Sequence, residues 1–183
     1  KNKMAEMADA CCFKVPNYPS LPHNMALPSL SYPCFIRPAL KHNSTFKNSV
    51  RVNTSTELLS VQKGLSEEDE LIVSDYVPKE KDLLVIGVRL HNGTIYIPGC
   101  FIKDRWDGGE SGTGSHGIIT ANIPSYVNIN AIHDFLRSIE YFGPFSFEFG
   151  ILNNTAYFYE INLRNDGTSD YFSQCGANTV LAW

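Results

Sequence analysis

Phe145-Ser-Phe-Glu148-Phe-Gly150 and Ala156-Tyr-Phe-Tyr-Glu160-Ile-Asn162-Leu-Arg164 decide how this chain is read. Aromatic and β-branched residues alternate with polar ones in both stretches. Leu152-Asn153-Asn154-Thr155 lies between them as a turn, so the pair predicts a β-hairpin. Strict alternation puts Tyr157, Tyr159, Ile161 and Leu163 on one face, and Phe158, Glu160, Asn162 and Arg164 on the other. Glu148, on the preceding strand, can then lie beside Glu160. Two carboxylates and an amide oxygen side by side suit a hard, oxygen-seeking cation such as Mg²⁺. Arg164, one step further, reads as an anion clamp. The bland alternative is a structural salt-bridge network of Glu148, Glu160 and Arg164.

The region before this hairpin alternates between strand pairs and helices. Residues 2–12 carry an apolar stripe at helical spacing (Met4, Met7, Ala8 and then Cys11 or Cys12). Residues 17–30, rich in Pro, Asn and Ser, read as a loop. Tyr32 to Pro38 is a short buried strand ended by proline, and its Arg37 either snorkels to water or binds an anion. Lys41-His-Asn-Ser-Thr-Phe-Lys47 is polar and free of acids. It is a plain solvated hairpin tip or a cradle for phosphates. Val50 to Val52 is a strand, and residues 54–65 form a helix capped by Thr54 or Ser55 and ended by Gly64. Leu71 to Val77 is a buried strand closing in a proline. Residues 82–90 and 94–103 are strands joined by a turn at His91-Asn-Gly-Thr94. Asp107 to Gly117 is rich in glycine and reads as a flexible loop, either linker or substrate lid, with His116 an exposed loop residue. Residues 129–141 are an amphipathic helix broken by Gly143-Pro144. Antiparallel strand pairs with interspersed helices predict an α+β fold, not a doubly wound parallel sheet.

Composition narrows the classes. A chain of 183 residues that is 43% hydrophobic can bury one generous core or two small ones. A net charge of −4 argues against a nucleic-acid-binding surface spread over the chain. Five cysteines, an odd count without CxxC, favour reduced thiols and a cytoplasmic setting over disulfides or zinc. No apolar run is long enough to span a membrane. Both ends read as cut from something longer. The phosphate-binding GxxxxGK[ST] and a GxGxxG opening a helix are both missing.

On these residues the chain resembles the ATP-grasp superfamily of carboxylate–amine and carboxylate–thiol ligases. Glu148 followed by Glu160-Ile-Asn162-Leu-Arg164 is similar to that family's metal-binding signature. Asn2-Lys3-Met4 with Phe13-Lys-Val-Pro16, Tyr32-Pro to Arg37-Pro38, and Leu71 to Val77-Pro78 resemble its nucleotide-binding motifs in the same order. The stretch Pro98-Gly-Cys-Phe-Ile-Lys103-Asp-Arg105 and the glycines after it resemble carbamoyl-phosphate-synthase-like and D-aspartate-ligase-like members.

The resemblance implies an ATP-grasp fold, with two α+β subdomains whose antiparallel sheets grip a nucleotide between them. Residues 1–77 would form the small subdomain with the phosphate loop and hinge strand. Residues 78–183 would form the large one with the metal site. The family's N-terminal lobe would be missing. The implied cofactors are ATP and Mg²⁺, with Mn²⁺ as an alternative metal. Glu148, Glu160 and Asn162 would hold the metal. Arg164 would steady the transferred group, and Lys103 would bind phosphate or carboxylate. Lys3, Arg37 and Lys47 would contact phosphates, and Ser74, Asp75, Tyr76 and Val77 the adenine and ribose. The implied reaction joins a small-molecule carboxylate to an amine, with neither nucleic acid nor membrane as partner and a homodimer allowed. Three departures stand out: Arg37 replaces the usual lysine, the first phosphate loop lacks its glycines, and Ser74-Asp75 stands where Gln-Glu is common. They motivate an alternative: a catalytically altered ATP-binding module that regulates or binds a partner.

Overall fold

Strands form where β-branched and aromatic residues cluster, and the computed structural model arranges them in two antiparallel sheets. It describes residues 2–16, 20–22, 30–38, 49–66, 70–107 and 113–183. The elements in chain order are α1 (Asn2–Ala10), β1 (Ser20–Pro22), β2 (Cys34–Pro38), β3 (Val50–Val52), α2 (Ser55–Lys63), β4 (Glu70–Asp75), β5 (Lys81–Arg89), β6 (Ile95–Asp107), β7 (Thr113–Thr120), α3 (Ile129–Ser138), β8 (Gly143–Leu152), β9 (Thr155–Asn162), α4 (Ser169–Gln174) and α5 (Thr179–Ala182). Among the described residues no helix is long and apolar enough to cross a membrane.

The chain divides into two compact units at Val77/Pro78, with residues 5–15 packing into the second unit. The first unit holds a four-stranded sheet in the order β1-β4-β2-β3. Its core is Cys34, Ile36, Val52, Leu58, Leu65, Leu71 and Val73. Helix α2 contributes Leu58 to that core and starts on Thr54, whose side chain accepts from the Glu57 N–H at 3.2 Å. The Glu57 carboxylate reaches back to the Asn53 N–H at 2.8 Å, so two N-terminal donors are satisfied reciprocally. Strand β1 lies in the stretch expected to be loop. Three residues there pair with Glu70 to Ile72, a run too short for periodicity to reveal.

The second unit is built on a five-stranded sheet in the order β7-β6-β5-β8-β9. Strand β5 is central, and Asp82 to Val88 are all buried. One face of the sheet packs on α3 through Ala131, Ile132, Phe135 and Leu136. Phe13 inserts there among Phe135, Phe147, Phe149 and Phe158, with ring centroids 5.3 to 6.4 Å apart. Burial of this large ring, together with pairing of Lys14 with Tyr157, draws residues 5–15 into the second unit. The opposite face carries Leu84, Ile86 and Phe172, with Phe101, Ile119 and Ala177 beside them.

The end of the glycine-rich stretch departs from the expected loop, while residues 108–112 lie outside the described residues. Residues 113–117 belong to strand β7, paired to β6. A Cβ on Gly117 would lie 2.5 Å from the Ile102 carbonyl oxygen, and one on Gly114 would lie 2.6 Å from the Lys103 side chain. These glycines permit close approach of neighbouring chain, rather than supplying flexibility.

Candidate active site

The β8–β9 hairpin turns on Asn153 and Asn154, both at positive φ (49° and 54°). This is the turn geometry that matches strand twist, and asparagine tolerates it. The register that follows pairs Ser146 with Asn162, Phe147 with Ile161 and Glu148 with Glu160, then shifts so that Phe149 pairs with Phe158. Tyr159 is the extra residue of a β-bulge. The bulge corrects the expected alternation: Phe158 turns to the buried face with Phe149, while Glu160 and Asn162 keep the face of Glu148 and Ser146. Strand β9 ends at Asn162, so Arg164 does not continue the row. Its guanidinium is exposed and donates to the Asn165 carbonyl at 3.2 Å.

Glu148 and Glu160 are thus direct cross-strand partners on the face that α3 leaves open. Lys103 reaches them from β6, its Nζ 3.4 Å from Glu148 Oε1. Burial pushes the Glu148 carboxyl above its ordinary range. Lys103 pulls it back down, and Glu160 and Asp82 raise it further. One ammonium at 3.4 Å against adjacent carboxylates leaves negative charge to be met. Oxygen donors with surplus negative charge fit a hard divalent cation, and Glu148, Glu160 and Asn162 supply such a set. Among the described residues no group of three or more His, Cys, Asp or Glu side chains is placed to hold a metal, so any such site draws on the amide.

Two neighbouring groups were not legible in the sequence. Asp82, 3% exposed, shares the face of its register partner Lys103. It is held by Lys79 Nζ at 2.7 Å and accepts from the Trp106 indole N–H at 2.5 Å. Lys79 also lies over the Trp106 ring, 5.1 Å from its centroid. Asp166, between β9 and α4, accepts from the Ser146 hydroxyl and from the Thr168 N–H (2.9 Å) and hydroxyl. Asn162 Nδ2 donates to the same Ser146 Oγ at 3.4 Å. No sequence spacing links Asp82 to Trp106 or Asp166 to Ser146, because these contacts join different strands or a strand to a later loop, 24 and 20 residues apart.

His116 does not join the carboxylates. Gly117 pairs with Lys103, so its neighbour His116 falls on the other face of β7. There its Nδ1 lies 2.6 Å from Asp104 Oδ1, a contact that lowers the Asp104 pKa.

The remaining sequence-singled residues lie in the first unit. Lys3 is an exposed residue of α1. Arg37 sits in β2, half-buried, opposite Ile72. Lys47 and the rest of the expected phosphate loop fall outside the described residues. Ser74 and Asp75 close β4, paired with Phe35 and Cys34, and the Ser74 hydroxyl donates to the Phe35 carbonyl at 3.3 Å. Strand β1 stops at Ile72. The residues that would continue the β1 register along Val73 to Asp75, positions 17–19, lie outside the described residues. Tyr76 lies under the Arg51 guanidinium, 4.3 Å from the ring centroid, and Val77 follows, outside any strand, at the unit boundary.

No protein-family model and no curated protein matches this sequence. Solved structures do. The L-amino acid ligase from Bacillus licheniformis superposes with a TM-score of 0.76 over 99% of this chain and 46% of its own, at 17% identity. The N5-carboxyaminoimidazole synthetase from Staphylococcus aureus complexed with ADP gives 0.69, over 98% and 51%, at 18% identity. The D-alanine–D-alanine ligase from Bacillus anthracis complexed with ATP gives 0.69, over 100% and 61%, at 14% identity. The chain spans about half the length of these solved structures.

Proposed function

We propose that this chain, which has the ATP-grasp fold, is the nucleotide- and metal-binding part of an ATP-dependent carboxylate–amine ligase. The observation that carries the reading is the cross-strand pair Glu148–Glu160 with Lys103 on one of its carboxylates. The proteins of this fold solved with ADP and ATP bound support a nucleotide as the ligand.

In the proposed reaction a substrate carboxylate oxygen attacks the γ-phosphorus of ATP. The bond to the β–γ bridging oxygen breaks, and an acyl phosphate and ADP form. An amine then attacks the acyl carbon, phosphate leaves, and an amide is made with loss of a proton. Glu148, Glu160 and Asn162 would hold Mg²⁺, which would supply screening of the phosphate charge. Lys103 offsets anionic charge on the same face. Arg164, exposed beyond the end of β9, supplies a fork-shaped cation for a phosphoryl or carboxylate group. Lys3, Arg37 and Lys47 are proposed phosphate contacts. The backbone of Ser74 to Val77, which closes β4 and leads to the unit boundary, is the proposed adenine edge. Small molecules are the proposed substrates, and the cytoplasm the proposed setting.

The test is a melting assay followed by turnover. Mg²⁺ with ATP or ADP is expected to stabilise the 183-residue chain by about 2.7 kcal/mol at a hundredfold excess over Kd. Pairs of amino acids are then screened for stimulated ADP release. No melting shift at millimolar nucleotide would sink the nucleotide site. Binding without any carboxylate-stimulated release would favour a regulatory or partner-binding module instead.

A further inference from the structure

We infer that Asp166 is a positioning residue that orients the Asn162 amide through Ser146, so that the amide presents oxygen and not nitrogen to a divalent cation. The inference rests on the metal reading proposed above and deepens it.

Donors and acceptors here can be assigned by elimination. Asp166 carries a carboxylate. One of its oxygens takes the Thr168 N–H at 2.9 Å and the Thr168 hydroxyl, and the other faces Ser146 Oγ. An ionised carboxylate has no hydrogen to give, so the single hydroxyl hydrogen of Ser146 points to Asp166. Ser146 is 1% exposed and cannot turn to solvent instead. Its oxygen can then only accept from Asn162. The Asn162 group nearest to it, at 3.4 Å, must be the NH₂. The flipped amide would set oxygen against oxygen with no hydrogen between them. Asn162 Oδ1 is therefore turned away from Ser146.

This matters because Asn162 shares the open face with Glu160 and Glu148. A hard cation takes oxygen ligands and rejects an amide nitrogen. With only two carboxylates in the set, the third oxygen depends on which way the amide is turned. Asp166 does not join Glu148 and Glu160 as a third carboxylate ligand, because among the described residues no three His, Cys, Asp or Glu side chains are placed together to hold a metal. Its effect reaches the cation through Ser146. Hydrogen-bonding partners behind metal ligands typically govern affinity by about 10- to 100-fold.

The experiment is a Mn²⁺ titration of the chain in the presence of ADP, with free Mn²⁺ read by its electron paramagnetic resonance signal. Ser146→Ala is expected to weaken Mn²⁺ by at least about tenfold, although it changes no charge. Asp166→Ala is expected to weaken it at least as much, since it also removes a negative charge. On an Asn162→Ala background, Ser146→Ala is expected to have no further effect, because the amide it orients is gone. A purely structural role would lower the melting temperature of Ser146→Ala and leave its Mn²⁺ affinity that of the wild type; that result overturns the inference. So does an undiminished effect of Ser146→Ala when Asn162 is already alanine. If Asp166→Ala fails to fold, the Ser146 variants decide alone. If the wild type takes up no Mn²⁺ with ADP, the metal reading itself fails and the inference with it.

Discussion

Glu148 and Glu160 face each other across β8 and β9, immediately before the bulge at Tyr159 that turns Phe158 into the core. One extra residue therefore separates the part of β9 that builds the aromatic core from the part that carries the acidic face. Both functions occupy a single eight-residue strand.

The raised pKa of Glu148 sets a direction for stability. Its folded-state value lies above the unfolded one, chiefly through burial. Between those two values the native state binds more protons, so stability falls as pH rises through that window. In metal-free buffer, Glu148→Gln should gain on the wild type as pH climbs from the ordinary carboxylate range to neutrality. Urea unfolding at a series of pH values measures this. Parallel stability curves for the two proteins would contradict it. Mg²⁺ with nucleotide should restore the wild type and not the variant.

Lys103 forms an ion pair with Glu148, one of the two paired carboxylates. Under the proposed ligase reaction, Lys103→Met is expected to lower carboxylate-stimulated ADP release by about 10²- to 10³-fold, the range seen when one charge-stabilising donor is removed. It should also push the Glu148 carboxyl higher still. An infrared titration of the carboxyl bands follows that second effect, and wild-type turnover in the variant would remove Lys103 from the chemistry.

Phe13 tests how residues 5–15 are held. Its ring, 5% exposed, stacks on Phe158 at 5.3 Å and touches three other rings. Phe13→Ala should cost about 3–5 kcal/mol, read as a lower urea midpoint with the slope retained. A cost below about 1 kcal/mol would mean that the cluster closes over the gap.

Gly117 distinguishes a packed hairpin from a mobile loop. Its Cβ would meet the Ile102 carbonyl oxygen at 2.5 Å and the Phe101 ring at 2.6 Å. Gly117→Ala should destabilise by about 1–3 kcal/mol, as overpacking does. In a flexible loop the same change would be neutral or slightly stabilising. Chemical denaturation separates the two.

Much of this was legible in the residues alone. The apolar stripe of α3, the Thr54 cap and Gly64 stop of α2, and the alternation of β8 depend on contacts a few residues apart, and local periodicity reports them. The Glu148–Glu160 pairing was legible too, since a hairpin closed by Asn153-Asn154 leaves little freedom in register. Tertiary structure decided the rest. The bulge at Tyr159 arises because Phe158 gains more by joining Phe13, Phe147 and Phe149 than by keeping the alternation. The glycines of β7 could be read as freedom or as close approach, and only the neighbouring strand with Ile102 and Lys103 settles which. Asp82 beneath Trp106, and Asp166 behind Ser146, join positions 24 and 20 residues apart. Such contacts leave no periodic trace, because sheet pairing and chain return set them, not the spacing of residues along the chain.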